Sequence, residues 1–318
     1  MRFLFSFSIL TVIVLSISAC SGSSENIEGN PVPPGIKIAF IGDQGTTNSA
    51  IAVLELIRDE GADMVLHQGD FDYQNDPYNW MKQIDNTLGR TFPYFASVGN
   101  HDIPAWKGYQ SKLLSRLSQV EEAHCTGNFG VNSACTYKGI FFVLSGIGTL
   151  GLDHVKYLRE ALAHSNADWK ICSWHKNQRL MQVGGKDDEV GWHAYEECRL
   201  AGAIIATGHE HSYSRTHLMS SFEFQTIADT SNHLVLSKGK SFAFVSGLGG
   251  LSIRPQVDGL GANPWWASVY TTDENAQFGA LFCSFNLNNN KKYAECYFKD
   301  IDGNIVDSFS LTSQLNPS

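Results

Sequence analysis

Five short stretches of this chain carry side chains of the kind that bind metal ions. They are Gly42-Asp43-Gln44-Gly45, Gly69-Asp70-Phe71-Asp72-Tyr73, Gly99-Asn100-His101-Asp102, Cys172-Ser173-Trp174-His175 and Gly208-His209-Glu210-His211. Carboxylate and amide oxygens with imidazole nitrogens form the mixed donor set that suits hard to borderline cations. Taken singly, each residue has a structural explanation. An Asp after a glycine can cap a helix. His209 and His211 alternate on an extended segment and would share a face in a purely structural pair. Tyr73 alone reads as a core aromatic. Their placement together is what carries information.

Each stretch follows an apolar run. KIAFIGD, the amphipathic SAIAVLELIRDEGAD and MVLHQGD read as strand, helix, strand. YFASVGN, IFFVLSG, WKICSWH and AGAIIATGH continue the series. Parallel strands joined by helices place ligands beyond their carboxyl ends. Asp43, Asp70, Asn100, His175 and His209 all stand at such ends, so five strands converge on one rim. Beyond residue 240, SFAFVSGLGG, FGALFCSFNL, YAECYFKD and NIVDSFSL are short β segments with Gly and Asn turns, expected to form an antiparallel sheet. One mixed α/β domain over residues 36–318 is the economical organisation.

The chain has 318 residues, 43% of them hydrophobic, with 19 Phe, 11 Tyr and 7 Trp, enough to build a large core and to exclude wholesale disorder. Lys and Arg number 23 against 32 Asp and Glu, for a formal charge of −9 without basic clusters. A nucleic-acid duplex needs a cationic footprint and is excluded as a partner. Residues 1–19 have one Arg, then an uncharged apolar run ending in small residues, the anatomy of an export signal. Ile17-Ser18-Ala19-Cys20 resembles a bacterial lipobox, which implies cleavage before Cys20, lipid on its sulfur and a membrane-anchored lipoprotein, periplasmic or at the cell surface. Ordinary cleavage beside an incidental cysteine is the alternative. Residues 20–35 have the composition of a flexible tether.

Six further cysteines would then sit where disulfides persist. Cys283 and Cys296 flank a polar hairpin turn, Cys125 and Cys135 bracket a Gly/Asn loop, and Cys172 and Cys198 remain; buried free thiols are the alternative for each pair.

The five blocks, in this order, resemble the calcineurin-like metallophosphoesterases and more narrowly the purple acid phosphatase branch, with its DxG, GDxxY, GNH(D/E), VxxH and GHxH motifs. The resemblance implies a four-layer α/β/β/α sandwich with two mixed β-sheets, the metallo-dependent phosphatase-like fold, and a dinuclear site. Asp70 would bridge; Asp43, Tyr73 and His211 would complete one site, and Asn100, His175 and His209 the other. Two metals about 3.5–4 Å apart generate a hydroxide nucleophile and clamp attacking and leaving oxygens. Gly45 stands where many relatives have a His, and Tyr73 would replace it. A phenol must lose its proton to ligate well, which a trivalent ion favours, so Fe(III) is expected there and a divalent Zn, Fe or Mn in the other site.

His101 is expected to contact substrate and protonate the leaving oxygen, oriented by Asp102; supporting Asn100 is its alternative role. Lys176 and Arg179 could bind phosphate or form a solvated surface pair. Cys172 occupies the Val position of the fourth block. Gly146-Ile147-Gly148-Thr149-Leu150-Gly151 matches GxGxxG, but no acid follows at dinucleotide spacing and a Gly-rich loop is the better reading. Asp300-Ile301-Asp302-Gly303 reads as a hairpin turn, and no GxSxG supports a serine hydrolase. Phosphomonoester hydrolysis is the expected activity. The alternatives are a phosphodiesterase acting on nucleotides or phospholipid head groups, and a surface binding lipoprotein with an inactive site.

Overall fold

The computed structural model describes residues 35–316. The export signal, Cys20 and the tether up to residue 34 lie outside the described residues. Strands β1 (Ile36–Ile41), β2 (Met64–His67) and β3 (Tyr94–Ala96) alternate with helices α1 (Asn48–Asp59), α2 (Pro77–Leu88) and α3 (Trp106–Leu117). Strands β4 (His124–Asn128) and β5 (Asn132–Tyr137) lead into β6 (Ile140–Ser145), α4 (His154–Ala163), β7 (Trp169–Ser173), α5 (His193–Leu200) and β8 (Ile204–Thr207). The remainder is mostly strand: β9 (Tyr213–Thr216), β10 (Leu218–Ser221), β11 (Thr226–Asp229), β12 (His233–Leu236), β13 (Ala243–Ser246), β14 (Trp266–Tyr270), β15 (Gly279–Phe285), β16 (Tyr293–Asp300) and β17 (Ile305–Ser313). Among the described residues, no helix is long and apolar enough to cross a membrane.

The strands form two large mixed sheets, ordered β12-β17-β16-β15-β1-β2-β3 and β14-β9-β13-β8-β7-β6-β5-β4, with β10 and β11 as a separate pair. Side-chain alternation along the central strands explains the layering. Phe142 and Leu144 of β6, Ile171 of β7 and Ile204 and Ala206 of β8 join the core shared by the two sheets. Phe141, Val143, Cys172 and Ile205 point the other way, into a second core with Leu158 and Leu162 of α4 and Ala194 and Tyr195 of α5. On the other side α1 buries Ala50, Val53, Leu54 and Ile57, one helical face. Its start is fixed by Thr47, whose hydroxyl accepts from the Ala50 amide. Helices therefore cover the outer faces, giving the expected α/β/β/α sandwich.

Between the sheets, Phe40 of β1 meets Phe244 of β13 edge to face at 5.2 Å, and Phe95 meets Phe142 at 4.8 Å. A buried polar clamp adds direction to this apolar contact. Arg215 of β9 donates from Nε to Asp307 Oδ2 of β17 at 2.6 Å and from Nη2 to Oδ1 at 2.9 Å, and the Tyr213 hydroxyl donates to the same carboxylate at 2.7 Å.

The C-terminal strands do not form an antiparallel sheet of their own. β15, β16 and β17 pair antiparallel in sequence, but β15 also pairs antiparallel with β1 and so extends the first sheet. β13 enters the second sheet parallel to β8. Six of seven β15 residues are buried, so this strand belongs inside a larger sheet rather than at a solvated edge. The structure joins Cys125 to Cys135, Cys172 to Cys198 and Cys283 to Cys296. The first and third cross directly opposed residues of adjacent strands, and the second ties β7 to α5.

Candidate metal centre

β1, β2 and β3 run parallel in one sheet, and β7 and β8 run parallel in the other. Asp43, Asp70 and Asn100 follow the ends of the first three, and His175 and His209 follow the other two. The turns that carry them are unusually constrained. Asp43, Asp70, Tyr73 and His209 all have positive φ, at 58°, 61°, 59° and 68°. Such backbone costs roughly 1–2 kcal/mol per non-glycine residue and persists only where the surroundings enforce it. Enforcement here is by amides: Asp43 N donates to Gly69 O, Gln44 N to Asp70 O and Gly45 N to Phe71 O, at 3.0, 3.0 and 2.9 Å. Gly99 is required by close approach, since a Cβ on it would lie 2.1 Å from the Asp70 amide nitrogen.

Asp70, His175 and His209 are buried and offer ligand atoms that all lie within 4.8 Å of one another. His175 Nε2 lies 3.1 Å from Asn100 Oδ1, 3.3 Å from Asp70 Oδ2 and 3.0 Å from His209 Nδ1. The other nitrogen of His175, Nδ1, is 2.8 Å from the Gln68 carbonyl oxygen, which can only accept. That bond puts the neutral ring's proton on Nδ1 and leaves the Nε2 lone pair facing the other donors. A second group adjoins this one. The Tyr73 hydroxyl lies 3.0 Å from Asp43 Oδ1 and 3.3 Å from His211 Nε2, and His211 Nε2 is 3.4 Å from Asp43 Oδ1. The seven side chains named from sequence therefore occupy one place, in two adjacent sets.

The chemistry of this donor set suits metal binding. Oxygen and nitrogen lone pairs converge at contact distance in a buried pocket, where unneutralised acceptors are costly. Protons can relieve only part of this. Burial pushes the Asp43 carboxyl up, but His211, His175 and His209 outweigh it and hold the group below the usual range. Asp70 is likewise lowered: burial and Asp43 oppose, and His175 prevails. Burial pushes His175 down, but Asp70 and Asp43 raise it to about 9. His209 is driven far below normal, first by burial and then by His175. The Tyr73 phenol is pushed above its ordinary value by burial, Asp43 and Asp70, so only a strong Lewis acid would hold it as phenolate.

The remaining candidates stand as follows. His101 is exposed, its ring centroid is 4.6 Å from that of Tyr73, and its amide donates to Asp70 Oδ1 at 2.9 Å. Asp102 does not orient it. Both Asp102 oxygens accept from backbone amides instead, those of Asp70, Phe71 and Gly99, at 2.9, 2.8 and 2.7 Å. The reason is the turn itself, whose buried amides need acceptors that no strand supplies. Lys176 Nζ donates to Glu189 Oε1, and Arg179 donates to the Gly184 carbonyl at 3.1 Å and to Asp258 at 3.2 Å. A phosphate would have to compete with those partners. Three contributors lack any motif: Gln68 behind His175, Ser252 Oγ at 2.5 Å from His211 Nδ1, and Glu189 beside His209. Gly146–Gly151 forms turns between β6 and α4.

A family model described as calcineurin-like phosphoesterase matches residues 36–213. No curated protein matches the sequence. Among solved structures, the chain resembles the purple acid phosphatase PPD1 from yellow lupin seeds, with a TM-score of 0.66 and 16% identity over 88% of this chain and 54% of that one. It thus spans about half the length of the lupin enzyme. GAP50, described as the anchor in the inner membrane complex of Plasmodium, gives a TM-score of 0.58 at 12% identity, covering 89% of this chain and 90% of that one. PhoD gives 0.55 at 14% identity, with 90% and 73% covered. At these identities the likeness is one of fold.

The electrostatics predict proton release on metal loading. In the metal-free protein His175 is raised from 6.5 to about 9, so its charge stabilises the fold fully below pH 6.5 and loses that effect as pH rises through 9. A cation must displace that proton. Metal affinity should therefore rise by up to about tenfold per pH unit toward pH 9 and then level off. Calorimetric titration at pH 7 in buffers of different ionisation enthalpy should show about one proton released from His175, and a second where Tyr73 ligates as phenolate; no release would contradict the assignment.

Proposed function

We propose that this chain, which belongs to the calcineurin-like phosphoesterase family, hydrolyses phosphate monoesters at a two-metal centre held by Asp43, Asp70, Tyr73, Asn100, His175, His209 and His211. The observation that carries this reading is that all seven donors are present and meet at five strand ends. Two metal ions bound there would supply Lewis acidity toward the phosphoryl oxygens and acidify water. The protein's own residues supply geometry. Asp70 would bridge the two sets and His101 would give a proton to the departing alkoxide, while Asp102 fixes the turns that carry Asp70 and His101. The same donor set could serve diesters, which makes the choice of leaving group the point to test.

The test is the ratio of kcat/KM for an aryl phosphomonoester to that for the matching diester, measured from acid to mildly alkaline pH on protein purified without chelator. A ratio well above one is expected, and a ratio well below one would make the protein a phosphodiesterase. Asp70→Asn should abolish either activity while leaving the melting curve native. Retained activity in that variant would exclude Asp70 as the bridge. Wild-type protein without activity toward either ester would instead be the outcome if the fold served only as an anchor, the role described for GAP50.

Tyr73 favours Fe(III) in its site, with divalent Zn, Fe or Mn in the other. The oxidised protein should be coloured by a tyrosinate-to-iron band that Tyr73→Phe removes; colourless protein with zinc in both sites would defeat the iron assignment. Export with lipid on Cys20 is part of the same reading, supported by three disulfides, which persist outside reducing compartments. Wild type should fractionate with membranes and Cys20→Ala should not; equal distribution would refute the anchor.

A further inference from the structure

His209 presents Nδ1 to the cluster, 3.0 Å from His175 Nε2, so its Nε2 points elsewhere. That nitrogen lies 2.7 Å from Glu189 Oε2. The two atoms are in ion-pair contact without hydrogen-bond geometry, and neither buried atom has a hydrogen-bond partner. The opposite oxygen of Glu189 accepts from Lys176 Nζ. Glu189 lies in the loop between the short 3-10 turn Arg179–Met181 and α5, far from every recognised block.

The loop is built to put this carboxylate there. The Glu189 amide donates to the Asn177 carbonyl at 3.1 Å, and Asn177 Nδ2 donates to the Gly208 carbonyl at 2.7 Å, tying the loop to the turn that carries His209. Asp188 Oδ1 accepts from Val190 and Gly191 amides at 3.2 and 2.7 Å, which closes the loop locally. Gly148, the middle glycine of the Gly-rich loop, leaves the necessary room: a Cβ there would sit 2.7 Å from the Glu189 carbonyl oxygen.

From this geometry we infer that Glu189 is the positioning residue for His209, and that Lys176 holds Glu189 in place rather than binding phosphate. The inference rests on the two-metal reading above. A carboxylate on the outer nitrogen keeps that nitrogen protonated, so the Nδ1 lone pair faces the metal, and it makes the ring a stronger donor. It also places a negative charge behind the Asn100, His175 and His209 set, which otherwise has the single carboxylate Asp70. The charge of Lys176 then limits how far Glu189 can move.

The test is calorimetric titration of metal-stripped full-length protein with Zn(II) alone, for wild type, Glu189→Ala, Glu189→Gln and Lys176→Met, with metal-free melting curves for each. Glu189→Ala should weaken zinc binding at the Asn100, His175 and His209 set by about 10–100-fold. Glu189→Gln, which keeps an oxygen beside Nε2 without the charge, should recover part of that loss, and Lys176→Met should give a smaller one. Unchanged melting shows that the loop itself is intact. A wild-type-like zinc affinity in Glu189→Ala would overturn the inference. So would weakening with a lowered metal-free melting temperature, because that marks a general structural effect. Wild-type protein that binds no zinc at all would instead bring down the metal-centre reading beneath it.

Discussion

The carboxylate of Asp70 is held buried beside His175, with Oδ2 3.3 Å from Nε2, and much of the local structure follows from that. It reaches this position only on a left-handed backbone residue, directly after Gly69 with φ of 88° and against Gly99, which has no room for a side chain. Asp102 makes the arrangement hold by accepting from three amides of the two turns, while the His101 amide caps Asp70 Oδ1. Each link is ordinary hydrogen bonding. Together they fix a strained residue by over-determination, the condition under which such strain persists.

The second requirement is that two sheets deliver donors to one point. Asp43, Asp70, Tyr73 and Asn100 come from the first sheet, and His175, His209 and His211 from the second. The inter-sheet core and the buried Arg215–Asp307 clamp therefore bear on the centre although they lie away from it. Burial disfavours every charged form in the pocket although His175 and the two carboxylates attract one another, so the packing of the sheets must offset the desolvation of these groups. Functional sites commonly show this conflict between local preference and global fold.

Much of the site was legible because residue type and strand ends are both local signals. Asp43, Asp70, Asn100, His175 and His209 each follow an apolar run, and parallel strands carry such residues to one rim. Pairings set by distant contacts were less legible. The run containing Cys283 reads correctly as a strand, yet nothing in its composition tells that it pairs with β1 as well as β16. Asp102 misleads for a physical reason: it adjoins His101 in sequence, but in a tight turn adjacent side chains diverge and buried amides take the carboxylate first. Glu189 sits in an acidic loop run, Lys186-Asp187-Asp188-Glu189, that looks like solvated surface. Only tertiary folding brings it to His209.

The central claim is that Asp70 separates two metal ions, one beside Tyr73 and one beside His175. Anomalous diffraction from crystals of the protein, collected at the iron edge and at the edge of the second metal, tests this most directly. Two peaks about 3.5–4 Å apart on either side of the Asp70 carboxylate, with iron at Tyr73, are predicted. A single peak, or none with His175 and Asp70 hydrogen-bonded directly to each other, would contradict the account.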